Sequence, residues 1–181
     1  MNILTLIGRI LTLPGAYVRV FWEQLTASLL ALPVTDTRFL QADKNAGHIR
    51  HGEAPSLAVL AVYNLIPGLL QLILGLPIWI VGFSLLVLFW HLPGEGQTLL
   101  FAVGVATLYL GSALLSSLFP SRDDAAEFAK RVKESESTAT KVFGYPIAAV
   151  LKCGALLERT GLTTIVPLLA YVTYFLVGYL Q

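Results

Sequence analysis

From Leu57 to Phe119 the chain is almost wholly apolar, interrupted only by a polar turn at His91–Gln97. That pattern predicts two membrane crossings joined by a tight loop. Thr98–Phe119 carries no charge and, at about 1.5 Å per residue, matches a hydrocarbon layer of about 30 Å. Leu57–Trp90 is too long for one straight span, and Pro67 and Pro77 each remove an amide donor inside it. It reads either as a broken or re-entrant helix or as a single tilted, kinked one.

The flanking segments are more mixed. Ile3–Leu13 predicts a short interfacial helix, Pro14-Gly15 a break, and Ala16–Leu32 a second helix. Arg19 and Glu23 stand four apart in that second helix, on one face and able to pair. Within the polar insertion 35–56, Thr37–Leu40 and Gly47–Arg50 predict a small β-hairpin at the membrane surface. After the central pair, Ser121 can cap a helix whose first turn holds Asp123 and Asp124, with Ala125, Ala126, Phe128, Ala129 and Val132 as its apolar side. Glu134–Thr140 reads as the frayed end of that helix. Val142–Leu157 holds Pro146 and Lys152 and predicts a partly buried or interfacial helix. Leu162–Leu180 predicts a terminal span, with Tyr171, Tyr174, Phe175 and Tyr179 suited to the interface.

The 181 residues are 56% hydrophobic and 13% charged, with a mean hydropathy of +0.73. Together with the spans, this predicts one all-α polytopic integral membrane domain over 1–181, with three or four crossings, broken or re-entrant segments and the small hairpin. A net charge of +1 gives no footprint for nucleic acid. Cys153 is the sole cysteine, so neither an internal disulfide nor a thiol metal cluster can form. Met1–Leu13 lacks a basic n-region and a cleavage site, and is expected to be retained. Arg122, Lys130, Arg131, Lys133 and Lys141 place 120–141 in the cytoplasm, as a surface helix and connector. Arg38, Lys44 and Arg50 place 35–56 there too.

Three separated pieces then suggest a scaffold. The first is Thr12-Leu13-Pro14-Gly15, running through Ala16-Tyr17-Val18 into Arg19-Val20-Phe21-Trp22-Glu23. The second is Ala46-Gly47-His48-Ile49-Arg50-His51-Gly52-Glu53, followed by Asn64-Leu65-Ile66-Pro67. The third is Leu118-Phe119-Pro120-Ser121-Arg122-Asp123-Asp124. In this order they resemble a small prokaryotic membrane protein family related to the site-2-type intramembrane zinc metalloproteases, in which a Pro-Gly lead enters a helix bearing His-Glu-Leu-Gly-His.

The resemblance implies a metal site whose ligands are gone here. Arg19 and Glu23 stand at the histidine positions, Val20 at the glutamate position and Asp124 at that of the third ligand. Valine cannot accept a proton, and arginine offers no lone pair to zinc. The resemblance therefore implies a pseudoprotease without cofactor, in which an Arg19–Glu23 or Arg19–Asp124 ion pair replaces the metal. Asn64 and Pro67 would line the former active centre. Such a protein would bind or help assemble a membrane protein partner within lipid, as part of a larger complex in a prokaryotic inner membrane. Two alternatives remain. One is a small transporter or channel, suggested by Pro67, Pro77 and Pro167. The other is a zinc metalloprotease with a displaced site drawn from His48, His51, Glu53 and Asp124.

Overall fold

The computed structural model describes residues 3–38, 48–91 and 97–159 and six positions beyond them, Leu162, Thr163, Ile165, Leu169, Val172 and Leu176. It is a mostly helical membrane protein. Helices α1 (Ile3–Leu29), α2 (Leu57–His91), α3 (Gln97–Leu115), α4 (Arg122–Glu134) and α5 (Thr138–Arg159) are joined by one two-stranded sheet, β1 (Val34–Arg38) and β2 (His48–His51). Among the described residues, three helical segments are long and apolar enough to cross a membrane: Leu57–Phe89, Gln97–Leu115 and Thr138–Glu158.

The prolines do not divide the helices. Pro14 lies inside α1, which runs unbroken where two segments were expected, and α2 continues through Pro67 and Pro77. For α2 the single-helix reading holds. In hydrocarbon a broken helix exposes amide and carbonyl groups that no water can satisfy, so one missing donor costs less than an interruption. At about 1.5 Å per residue, α2 extends roughly 50 Å, past a hydrocarbon layer of about 30 Å.

The central pair is built on glycine. A methyl group at Gly82 would strike the Leu108 backbone, one at Gly111 the Trp79 backbone, and one at Gly104 or Gly75 the side chains of Leu86 or Leu114. These contacts define one antiparallel register, with Gly68, Gly75 and Gly82 seven residues apart on α2 and Gly104 and Gly111 seven apart on α3. Between membrane helices there is little hydrophobic drive, so close backbone approach through small residues supplies the attraction. α1 joins by the same means, because a methyl group at Gly15 would meet the Ala113 carbonyl. It lies parallel to α3, with Gly15 beside Ala113 and Arg19 bonded to Ser117.

The other end of the bundle carries a conventional core. Phe128, Val132 and Ala125 of α4 and Ala148, Leu151 and Ala155 of α5 cluster with Ala27, Leu32, Ala54, Leu60 and Tyr63. Ser121 caps α4 as expected, its hydroxyl accepting from the Asp124 amide at 3.2 Å. Arg131 fastens α4 to the start of α2 by donating to the Ala54 carbonyl at 2.7 Å. Thr138–Thr140 open α5 and are not a frayed end of α4, which stops at Glu134. α5 is long enough to cross, where a partly buried or interfacial helix was expected.

The hairpin is present with shifted bounds. β1 begins at Val34 and β2 ends at His51, paired antiparallel with Val34 opposite His51 and Arg38 opposite His48. Most of the expected terminal span, with its tyrosines, lies outside the described residues, as does the connection 39–47. The chain leaves α1 through Ala31, at φ 53°, with the Leu32 amide bonded back to the Ala27 carbonyl at 2.9 Å. This is the left-handed turn that commonly ends a helix.

The α1–α3 contact gives the first test. Gly15→Val should lower the thermal stability of the purified protein by ~1–3 kcal/mol or more, because the Ala113 carbonyl cannot yield without separating the helices. Unchanged stability would contradict the close packing.

Candidate functional site: a buried ion pair between the helices

The Arg19 side chain is the only charged group that the described part of α1 carries into the bundle besides Glu23; the two are 2% and 4% exposed. Their spacing puts them on one face, and Arg19 Nε donates to Glu23 Oε1 at 2.9 Å. The second partner comes from another element. Arg19 Nη1 donates to the Ser117 carbonyl at 3.1 Å, just past the end of α3. The last carbonyls of a helix lack intrahelical partners and form the negative end of its dipole, so a guanidinium is well placed there.

α2 forms the facing wall. Gln71 Nε2 donates to the Gly15 carbonyl at 2.8 Å and to the Leu114 carbonyl at 3.2 Å, tying α1, α2 and α3 together one turn from Arg19. Gly68 lets the Leu118 backbone come close, and a methyl group there would lie 3.7 Å from Arg19 Nη1. With Gln71 on Gly15 and Gly68 beside Arg19, the two helices run antiparallel, and one further turn brings Asn64 level with Glu23. Asn64 is 1% exposed and donates to the Leu60 carbonyl at 2.9 Å, while Pro67 is fully buried beside Gly68. Asn64 and Pro67 thus lie on α2 within about one turn of Gly68, the residue that abuts Arg19.

Asp124 is buried at the first turn of α4, and its Oδ2 accepts the Ser121 hydroxyl at 2.7 Å. The fields of Glu23, Asp124 and Arg19 converge on the phenol of Tyr63, which is 2% exposed. Of the two ion pairs expected for Arg19, the one with Glu23 is formed directly. Val20, fully buried next to Arg19, presents only methyl groups to the interior.

The residues named for a displaced metal site are only partly described. His51 turns its ring edge onto Tyr63 at 4.4 Å, with Nδ1 2.7 Å from the Gly52 carbonyl, whereas Glu53 is exposed. The His48 side chain lies outside the described residues. Among the described residues no group of three or more His, Cys, Asp or Glu side chains is arranged to hold a metal ion.

Three participants escaped the sequence reading. Tyr63 looked like one more aromatic in an apolar run. Gln71, an amide in the middle of a membrane span, was a legible signal, since such groups must find partners between helices. Glu158, between the two C-terminal apolar segments, is partly buried beside the Phe119 amide and in the fields of Arg19 and Glu23. No family of proteins, no characterised protein and no solved structure matches the chain.

The pair carries its own test. Glu23→Ala should cost ~3–5 kcal/mol of stability by leaving a buried guanidinium short of its counter-charge, whereas replacing Arg19 and Glu23 together by leucines should cost less than Glu23→Ala alone. Thermal unfolding of the detergent-solubilised variants reads both. If the double variant is the worse, the charges do more than compensate each other.

Proposed function

We propose that this integral membrane protein is noncatalytic and binds or helps assemble another membrane protein, as a pseudoprotease on the scaffold it resembles. The observation that carries this reading is the buried Arg19–Glu23 pair, 2.9 Å long, at positions that the resemblance matches to the family's two histidines. A guanidinium there repels a dication, and Val20 beside it can neither bind nor deprotonate water. An ion pair fills the polar space that a metal would otherwise require, and α1 keeps its place in the bundle. Asn64, Pro67 and Asp124 then serve as walls and not as catalytic groups.

The outer faces are consistent with a partner helix in the bilayer. Leu69, Ile73, Ile80 and Val81 of α2 and Leu99 and Val103 of α3 are half or more than a third exposed, and these apolar surfaces suit either lipid or a neighbouring span. The lysines and arginines of 120–141 orient α4 toward the cytoplasm, in keeping with a prokaryotic inner membrane.

Purification from native membranes in a mild detergent, with co-purifying proteins identified and bound metal quantified on the same sample, tests the proposal. A membrane protein recovered in fixed stoichiometry, without zinc, is expected. Zinc near one per chain, or a chain that purifies alone after cross-linking in the membrane, would overturn it.

A further inference from the structure

The polar atoms around the ion pair are not all satisfied by protein. Among the described residues, Arg19 Nη2, Tyr63 Oη and Asn64 Oδ1 are each buried without a hydrogen-bond partner, and so are His51 Nε2 and Trp22 Nε1. Arg19, Tyr63 and Asn64 are 2%, 2% and 1% exposed, so bulk solvent does not reach them through the surface. A buried polar group left unpaired costs about 1–3 kcal/mol, and such groups rarely persist in a folded interior. These are also neighbours. The antiparallel register of α1 and α2 sets Tyr63 and Asn64 level with Glu23, one turn from Arg19, and the Arg19 charge reaches the Tyr63 phenol.

We propose that the space between Arg19, Tyr63 and Asn64 binds internal water. The three atoms offer one cationic donor, one hydroxyl able to donate or accept, and one amide acceptor. A water molecule, with two donors and two acceptor sites, complements that set, and bound water usually makes about three bonds to otherwise unsatisfied groups. An anion would fit Arg19 but would meet the carboxylates of Glu23, Asp124 and Glu158 close by. A metal ion would meet the guanidinium. Neutral water meets neither obstacle. His51 packs against the Tyr63 ring at 4.4 Å and is itself only half-buried, so it borders the site on the side of the hairpin. The consequence is a wet pocket within a membrane bundle, with water accepting from the N–H groups of Arg19 Nη2.

Radiolytic hydroxyl labelling of the intact protein in lipid nanodiscs, read by mass spectrometry, tests this, because bound water labels the side chain it touches. After correction for intrinsic reactivity, Tyr63 should label several-fold faster than Phe128, which is 1% exposed. Labelling of Tyr63 no faster than Phe128 would overturn the proposal. Tyr63→Phe removes only the hydroxyl. With water bound there it should lower the melting temperature, whereas an unchanged or higher one means a dry site and overturns the proposal as well.

Discussion

The bundle is arranged around one buried guanidinium. Moving an arginine out of water costs several kcal/mol even after relaxation, and that cost is met only by partners fixed in place. Glu23, one turn along the same helix, is fixed by α1 itself. The Ser117 carbonyl is fixed only if α1 lies against the C-terminal end of α3 at one particular height. Arg19 thus converts a local spacing into a condition on how two helices that are distant in sequence must pack.

The glycine contacts make that condition attainable. Gly15 stands one turn before Arg19 and allows α1 to touch the Ala113 carbonyl, while Gly68 leaves room for the Leu118 backbone next to the guanidinium. Larger residues at either position would push α1 or α2 away by more than a hydrogen bond can stretch. Gln71 reinforces the same junction, since its amide donates to carbonyls of both α1 and α3. Packing and polar contact are therefore one design, and neither is sufficient without the other in a medium where apolar surface alone gives helices little reason to associate.

What the sequence disclosed follows the reach of each signal. The central spans, the Ser121 cap and the possibility of an Arg19–Glu23 pair depend on residues within one or two turns, and hydrophobic pattern and helical periodicity report on these. The hairpin was legible as an element, though its bounds were not, because Val34 and His51 pair through backbone groups that carry no side-chain signature. Pro14 misled, since a proline between apolar segments is ordinarily a strong break, yet α1 continues through it. Ser117 and Glu158 were out of reach because both meet Arg19 or its field only through tertiary packing. The seven-residue spacing of Gly68, Gly75 and Gly82 was visible in the sequence and marks the α2 face on which α3 packs.

An apolar pair at 19 and 23 would also fill the space between these helices, so the charges need a reason beyond stability. That reason lies in what they forbid. A slip of α1 by one residue would rotate Arg19 by about 100° and carry it off the Ser117 carbonyl, leaving its charge poorly compensated at a cost of several kcal/mol. Leucines would cross the same slip with little penalty, because one apolar contact replaces another. The ion pair therefore holds α1 to one height and one rotation against α3, and with it the hairpin that follows α1 and the α4–α5 core that packs beneath.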